Sequence, residues 1–415
     1  MTSDQHFVIV GGGLAAAKLA EALRANDFAG TVTLISAEDY LPYDRPPLSK
    51  QHLTGKKSLE EFTINPGQWY RDHHIDVRLG TEVGAIDPSA KTVTLPDGST
   101  LGYDKLALAT GSTPRRLPIP GMDAREVYTL RTIGDSDSLI DLFRSARRLV
   151  IIGAGWIGLE VASAARAAGV EVTIVQSSEL PLFAALGPEM GRVFADLHRD
   201  HGVDLRFRAQ VEAITTDQAG AITPRHGEAE LATGVRLTDG TVIEGDAVLV
   251  AVGARPNIEL AVNAGLATDG GVLVDASLIT SDPNIVAVGD IASAQHPRLG
   301  RRIRVEHWAN ALNQPAVAAQ TMLGKSASYD RLPYFFTDQY DLGMEYTGFA
   351  ARGEYVRVLV RGDVGKREFV AFWLDADNRV LAGMNVNIWD VTDRIKELIG
   401  QQVDPERLAD TSTPL

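Results

Sequence analysis

The sequence predicts an α/β protein in which two copies of one strand–turn–helix–strand design are followed by a smaller α+β domain. Three observations support this prediction: a glycine-rich turn that occurs twice, a hairpin pattern at the same distance after each turn, and a change to short alternating strands after residue 325. A chain of 415 residues, 45% of them hydrophobic, is long enough for two or three domains.

A constant offset relates the two copies. The segment FVIVGGGLAA at Phe7–Ala16 lies 142 positions before LVIIGAGWIG at Leu149–Gly158. The segment LPDGSTLGYDKLALATG at Leu95–Gly111 lies the same 142 positions before LTDGTVIEGDAVLVAVG at Leu237–Gly253. One such turn can arise in any glycine-rich loop, whereas two turns with matching downstream segments in one register indicate a duplicated unit.

Each copy begins with a buried strand and continues through an amphipathic helix to a second strand, at Thr31–Ile35 and Glu171–Val175. The dipeptides Asp97–Gly98 and Asp239–Gly240 then predict tight hairpins, because aspartate and glycine tolerate the backbone angles of two-residue turns. Each hairpin leads into a final apolar strand of the copy.

The remaining segments predict how the copies are connected. IVAVGD, which ends at Asp290, predicts a strand that returns to the first domain, so that the two domains are nested. YVRVLVRG at Tyr355–Gly362 and REFVAFWLD at Arg367–Asp375 alternate like half-buried strands, and a helix is predicted near Asp390–Ile399. The predicted domains are 1–113 with 243–322 for the first, 114–242 for the second and 323–415 for the third.

The composition excludes several classes of function. With 40 basic and 54 acidic residues the net charge is -14, so nucleic acid is not an expected partner. The chain has 0 cysteines, which excludes disulfide bonds, cysteine-bound zinc or iron–sulfur clusters and a thiol nucleophile, and no metal site is predicted. No uncharged apolar run approaches the ~20 residues of a membrane helix, and the first residues lack a basic signal region, so we expect a cytoplasmic protein.

The first glycine-rich turn has the pattern of a dinucleotide-binding site. Gly11 permits a tight turn after the strand, Gly13 lets the backbone approach a pyrophosphate, and Ala16 allows close packing of the helix that begins there. The N-terminus of that helix would face the phosphates. Glu38, shortly after the second strand, is the nearest acid for a ribose hydroxyl, although it also fits a solvated loop charge.

The second turn carries the fuller pattern Gly153, Gly155 and Gly158. Glu160 follows two residues later on the same helix, where a carboxylate could face a neighbouring cofactor. Gln176 occupies the position where an acid would favour NAD, yet no arginine or lysine follows closely to bind a 2′-phosphate. NADH is therefore favoured and NADPH remains open.

Six segments carry a resemblance to a known family: LPYDRPPLSK (Leu41–Lys50), ALATGSTPR (Ala107–Arg115), IIGAGWIGLEVA (Ile151–Ala162), VAVGDIA (Val286–Ala292), VEHWANALNQ (Val305–Gln314) and FFTDQYDLGMEYTG (Phe335–Gly348). Over nearly its whole length the chain resembles the FAD-dependent ferredoxin reductases of bacterial oxygenase and cytochrome P450 systems, whose wider relatives include apoptosis-inducing factor and monodehydroascorbate reductase. The resemblance implies a glutathione-reductase-like fold of two nested Rossmann-like domains with a C-terminal α+β domain, and FAD and NADH as cofactors.

The resemblance also implies roles for particular residues. Asp290 would bind the ribityl–phosphate part of the flavin, while Arg45 and Lys50 would lie by the flavin, with Lys50 paired to Glu160 as the catalytic pair. Trp308 would lie near the dimethylbenzene edge. The other cofactor-binding positions predicted around the two turns and the flavin are Leu14, Ala15, Val83, Ala109, Thr110, Gly111, Arg131, Trp156, Ile157, Gly253, Gly289, Glu306 and His307.

From the residues alone these positions also have ordinary structural interpretations. Asp290 fits the N-cap of a following helix, and Lys50 fits a surface lysine. Trp308 and Val83 fit the core, and Arg131 fits a solvated charge at a helix start. In the resembling family Trp156 is often a tyrosine, which leaves its stacking on a nicotinamide open.

The missing thiol bears on where electrons would leave. Related disulfide reductases, oxidases and peroxidases need a cysteine beside the flavin, and Tyr40–Lys50 contains none. A flavin takes a hydride and releases single electrons, which suits a [2Fe–2S] ferredoxin. A docking surface for an acidic ferredoxin, or a salt-bridged loop, is predicted at Arg298, Arg301, Arg302 and Arg304.

Two other functions remain open at this stage. One is reduction of a small acceptor, such as a quinone or an ascorbate-like radical. The other is a binding protein whose docking surface depends on the state of its flavin. The chain is expected to be a monomer or a homodimer.

Overall fold

The computed structural model describes residues 4–217 and 230–415, which form two compact units. The first unit comprises residues 4–45, 59–113 and 255–335. The second unit comprises residues 46–58, 114–217, 230–254 and 336–415. The predicted domain boundaries after residues 113, 242 and 322 remain a prediction.

A five-stranded parallel sheet forms the centre of the first unit. Apart from the edge strand Ile75–Arg78, its strands are almost entirely buried, as expected for a parallel sheet covered on both faces. In spatial order they are Ile285–Ala287, Lys105–Leu108, His6–Val10, Thr31–Ile35 and Ile75–Arg78. The predicted returning strand is therefore present at Ile285–Ala287, and the nested connection is confirmed.

Two longer helices accompany this sheet, and both are rich in alanine, which has the highest helix propensity. Leu14–Ala25 follows the first strand, and Trp308–Met322 packs against it. The other elements of the first unit are the helices Leu59–Phe62, Gly67–Asp72 and Glu259–Asn263, the 3₁₀ turn Gly289–Ile291, and the strands Ala85–Asp87, Thr92–Thr94, Thr100–Gly102, Val272–Val274, Ala292–His296 and Arg301–Ile303.

The second unit also contains a five-stranded parallel sheet, in which four strands keep the order of their equivalents in the first unit and the fifth, Val127–Tyr128, precedes them in the chain. In space they are Val127–Tyr128, Ala247–Val250, Arg148–Ile152, Glu171–Gln176 and Asp204–Phe207. Phe7 lies opposite Lys105 in the first sheet and Leu149 opposite Ala247 in the second, so both partners are displaced by the predicted offset. The duplicated design is confirmed at the level of strand register.

The hairpins and helices of the second unit also follow the predicted pattern. The antiparallel strands Ala232–Leu237 and Val242–Glu244 flank the turn at Asp239–Gly240, and Val211–Thr216 pairs with the first of them. The remaining elements outside the C-terminal sheet are the 3₁₀ turn Pro46–Ser49 and the helices Ile133–Phe143, Trp156–Ala167 and Phe183–Asp200. Two further short strands follow in the chain: Ser112–Pro114 comes after Lys105–Leu108, and Ala254–Pro256 comes after Ala247–Val250.

A third five-stranded sheet occupies the C-terminal part of the described chain. Its order is Tyr334–Gln339, Leu342–Gly348, Val380–Val386, Glu368–Leu374 and Arg357–Asp363, with antiparallel pairing from Leu342–Gly348 onward. Phe369, Phe372 and Trp373 are fully buried in it. The predicted helix is Thr392–Leu398, and a further short helix, Pro405–Ala409, begins with Asp404 as its N-cap.

Together these elements confirm an α/β fold of two nested, parallel-sheet halves with an added α+β segment. Within the part of the chain that the structure describes, no helix is both long enough and apolar enough to span a membrane.

Candidate functional site

The first glycine-rich turn is held against the neighbouring strands by its own backbone. Gly11 has φ +132°, and its N–H donates to the carbonyl of Ile35 at 2.8 Å. A Cβ on Gly11 would lie 2.1 Å from the carbonyl oxygen of Ala109, so no other residue fits there. Gly13 differs: a Cβ on it would meet no atom of the described chain within 4 Å. Gly11 thus serves the fold, and Gly13 leaves space beside the helix start.

The second turn repeats this division. Gly153 has φ +107°, and a Cβ on it would lie 2.4 Å from the carbonyl oxygen of Ala251. A Cβ on Gly158 would lie 2.2 Å from the carbonyl oxygen of Gly153, which explains the close packing of helix against turn. A Cβ on Gly155 would meet nothing in the described chain within 4 Å.

The starts of both helices fit a bound pyrophosphate. Leu14–Ala25 and Trp156–Ala167 are each 12 residues long, with Gly13 and Gly155 as their N-caps. Among the described residues, no side chain caps either helix, and neither first turn contains an acid. The first N–H groups and the positive end of each helix dipole therefore face space that an anion can occupy. The residues present fit two dinucleotides, one at each turn.

Glu38, the predicted ribose acid of the first unit, already has two protein partners. Its carboxylate accepts from the Tyr43 hydroxyl at 2.5 Å and forms an ion pair with Arg45 at 2.7 Å. Arg45 and Glu38 are each about a quarter exposed, so the pair is partly buried. The structure thus brings two of the predicted cofactor-binding residues together, and their binding of FAD remains a prediction.

Gln176, at the end of the second strand of the second unit, binds the glycine-rich turn directly. Its Oε1 accepts from the N–H of Ala154 at 3.0 Å, and its Nε2 donates to Ser178 Oγ at 2.7 Å. Nearby, Arg208 forms an exposed ion pair with Glu179 at 2.6 Å, and its backbone N–H donates to Ser178. The predicted ribose position therefore presents a neutral amide near a paired arginine.

Asp290 lies at the carboxyl end of the returning strand. The Ser112 hydroxyl donates to its carboxylate at 2.7 Å, and the preceding Gly289, with φ +76°, donates its N–H to Gln314 Oε1 at 2.7 Å. The alternative interpretation of Asp290 as the N-cap of a following helix is wrong. Asp290 lies inside the 3₁₀ turn Gly289–Ile291, whose N-cap is Val288, and a strand follows that turn.

His307 and Trp308 lie at the start of a long helix of the first unit. Trp308 Nε1 donates to Asp44 at 3.0 Å. His307 Nδ1 is buried and has no hydrogen-bond partner among the described residues. Burial lowers the pKa of His307 to about 4, against the opposing effect of Asp290, so the ring is neutral at pH 7. A buried ring nitrogen without a partner fits a unit that binds a further group.

Lys50 and Glu160 form a buried ion pair in the second unit. Lys50 Nζ lies 2.7 Å from Glu160 Oε1, and the side chains are 9% and 4% exposed. Ser49 donates to Glu160 Oε2 at 2.5 Å, and Thr337 donates to Oε1 at 2.6 Å. The Lys50 ammonium also lies 5.4 Å from the ring centre of Phe336. The predicted pairing is confirmed, and the alternative of a surface lysine is wrong.

The other predicted positions divide between the two units. In the first, Val83, Leu14, Ala15 and Ala109 are buried, and the Thr110 hydroxyl donates to the carbonyl of Asn257 at 2.6 Å. Gly111 in the first unit and Gly253 in the second follow equivalent strands, and both have positive φ. In the second, Ile157 is exposed, Trp156 packs edge-on against Phe194, and the Arg131 N–H donates to Asp135 at 2.9 Å.

The predicted arginine cluster is largely engaged within the chain. Arg302 donates to the carbonyls of Val274 and Ser293, and Arg304 donates to the carbonyl of Asp290 and pairs with Glu306 at 2.7 Å. Arg298 is exposed. The salt-bridged interpretation therefore holds for Arg304, and the full cluster of four is not a set of free cations.

Sequence reasoning missed three contributors to these sites, namely Ser49, Ser112 and Thr337. Ser49 and Thr337 lie inside segments that carried the family resemblance, but neither has a local pattern that predicts a bond to Glu160. Their partner is 111 and 177 positions away in sequence, respectively. Only the tertiary fold brings these hydroxyls to the carboxylate.

Comparison with known proteins finds two matching family models and relatives that align over nearly the whole chain. Residues 5–315 match the family described as pyridine nucleotide-disulphide oxidoreductase, and residues 334–415 match the reductase C-terminal family. The chain is 40% identical to the 5,5'-dehydrodivanillate O-demethylase ferredoxin reductase subunit of Sphingobium sp., over 99% of this chain and 98% of that protein. It is 36% identical to putidaredoxin reductase of Pseudomonas putida, over 100% and 97%.

Solved structures agree with this similarity. The covalent putidaredoxin reductase–putidaredoxin complex contains a chain that superimposes with a TM-score of 0.92 at 34% identity, covering 100% of this chain and 97% of that one. The ferredoxin reductase for the CYP199A2 system of Rhodopseudomonas palustris superimposes with a TM-score of 0.90 at 33% identity, covering 99% and 98%.

Proposed function

The chain belongs to the pyridine nucleotide-disulphide oxidoreductase family, and we propose that it is an FAD-dependent ferredoxin reductase, which transfers electrons from NADH to a [2Fe–2S] ferredoxin that serves an oxygenase. The observation that carries the proposal is the count of 0 cysteines. A family member without a thiol cannot pass electrons through a disulfide or a sulfenate beside the flavin. The relatives that match over their full length are named as ferredoxin reductases, in agreement with direct transfer to a carrier.

The residues of the two glycine-rich turns would hold the cofactors. Gly13 and the helix that follows it would hold the FAD pyrophosphate, with Asp290 toward the ribityl–phosphate portion and Glu38 toward the ribose. Gly155 and its helix would hold the nicotinamide dinucleotide in the same way. FAD, when bound, supplies the chemistry of accepting a hydride and releasing its electrons singly.

The Lys50–Glu160 pair would act by electrostatics, with no side chain serving as nucleophile. The Lys50 ammonium favours negative charge that develops near it, and burial strengthens that effect because little water screens it. Glu160 holds the ammonium in one position, and the hydroxyls of Ser49 and Thr337 hold Glu160. We place the enzyme in the cytoplasm, where NADH is the available reductant.

The test of this function is ferredoxin-dependent reduction of cytochrome c by NADH. We expect saturation with a [2Fe–2S] ferredoxin at low ionic strength and a falling rate as salt screens the docking charges. Equal rates with and without ferredoxin, together with turnover of a quinone or an ascorbate-like radical, would instead establish a small-acceptor reductase. If reduction of the flavin takes longer than minutes with both NADH and NADPH, a flavin-dependent binding protein would be favoured.

The choice between NADH and NADPH should depend on Gln176. We expect Gln176→Glu to lower kcat/KM for NADPH by about tenfold or more, with little change for NADH, because a carboxylate at this position accepts from ribose hydroxyls and repels a 2′-phosphate. The measurement is the ratio of kcat/KM for the two nucleotides with ferricyanide as acceptor.

A matched variant tests the same position from the opposite direction. Glu179→Gln releases Arg208 from its ion pair, so the ratio should shift toward NADPH. If both variants change the two nucleotides equally, Gln176 is not at the ribose.

A further inference from the structure

A chain of hydrogen bonds extends from the buried ion pair to the helix Phe183–Asp200. Thr337 Oγ1 donates to Glu160 Oε1 at 2.6 Å and accepts from Gln339 Nε2 at 3.1 Å. Gln339 Oε1 lies 2.9 Å from His198 Nε2, and His198 Nδ1 lies 3.3 Å from the Tyr340 hydroxyl. All five of these residues belong to the second unit.

One donor-to-acceptor direction of these hydrogen bonds satisfies every residue in the series. Since Gln339 presents its amide oxygen to His198, the ring must donate from Nε2, and its Nδ1 must accept from Tyr340. Gln339 then donates to Thr337, whose hydroxyl hydrogen is left for Glu160. Each donor therefore points toward the carboxylate, and such chains strengthen one another by polarisation.

The polar side chains of this series are buried, so each of them needs its hydrogen-bond partners. His198 and Thr337 are 0% exposed and Gln339 is 1% exposed. Burial lowers the pKa of His198 to about 4, so the ring is neutral at pH 7, as the directed chain requires. A polar group buried to this extent is costly unless all its partners are present, and apolar residues of similar size could fill the same space without that requirement.

We infer that Thr337, Gln339 and His198 are positioning residues for the reaction, which hold the Glu160 carboxylate in the orientation that keeps Lys50 in place. The inference rests on the proposed reductase function. Lys50 and Thr337 both bind the same carboxylate oxygen, so losing the Thr337 hydroxyl leaves Lys50 as the partner that decides where this oxygen lies. With Ser49 still bound to Oε2, this Oε1 atom can then move with the lysine instead of holding it.

Anaerobic stopped-flow reduction of the FAD-loaded protein by NADH tests this inference. We expect Thr337→Val to lower the limiting rate of flavin reduction by about tenfold, because a hydrogen bond to a charged group is lost, while the dissociation constant for NADH stays unchanged. Thr337→Ser restores the hydroxyl and should restore the rate. Gln339→Met, one step further along the chain, should lower the rate by less.

Two comparisons keep the result specific. Thr347→Val removes a hydroxyl of the same burial from the neighbouring strand and should leave the limiting rate at the wild-type value. A wild-type rate in both Thr337→Val and Gln339→Met overturns the inference while the reductase function stands. A wild-type protein that NADH does not reduce overturns the proposed function itself. If Thr337→Val fails to retain FAD, the rate of Gln339→Met decides.

Discussion

Replacing Lys50 by alanine is expected to slow reduction of the bound flavin by NADH about a hundredfold, while FAD remains bound. The reason is that the ammonium is a positive charge held at a buried position, and its replacement removes the stabilisation that it gives to developing negative charge. Anaerobic stopped-flow bleaching of the flavin measures the rate, and the ratio of flavin to protein absorbance measures retention of FAD.

The same substitution should also destabilise the protein. Glu160 is 4% exposed, and an unpaired buried carboxylate costs about 3–5 kcal/mol. The double variant Lys50→Ala/Glu160→Gln removes that charge, so it should recover thermal stability without recovering the rate. Lys56→Ala, at an exposed lysine of the same segment, controls for loss of charge alone. A wild-type bleaching rate in Lys50→Ala would remove Lys50 from the reaction.

The parallel halves were predictable from sequence because their signals are local. A buried strand, a glycine-rich turn and a hairpin lie close together in each copy. Phe7 lies opposite Lys105 and Leu149 opposite Ala247, so the constant offset predicts the same strand register in both sheets. The positive φ of Gly11 and Gly153 follows from the same local pattern.

The environment of the ion pair was only partly predictable. Family resemblance paired Lys50 with Glu160, but no pattern placed the Thr337 hydroxyl on the same oxygen, since that contact joins distant segments. The short stretch 46–58 likewise belongs to the second compact unit, where the Ser136 hydroxyl donates to the carbonyl of Leu48 at 2.8 Å. No change of composition marks its ends, because tertiary packing alone determines its surroundings.

Gly155→Val is expected to slow reduction by NADH by more than about a hundredfold. The variant should still fold and bind FAD. The backbone of Gly155 has φ -83° and ψ -176°, which valine adopts readily, and a Cβ there meets no described atom within 4 Å. The added side chain would extend from this open position toward the space where a pyrophosphate would approach the helix start.

Three measurements separate binding from folding for this variant. Dithionite should still bleach the flavin fully, the FAD content should match wild type, and NADH should show no saturable binding. Gly134→Val, at an exposed glycine of the helix Ile133–Phe143, should behave as wild type. Gly153→Val should instead fail to fold, because its φ is +107° and its Cβ would lie 2.4 Å from the Ala251 carbonyl oxygen. Normal reduction of Gly155→Val by NADH would mean that the second turn does not hold the nicotinamide dinucleotide.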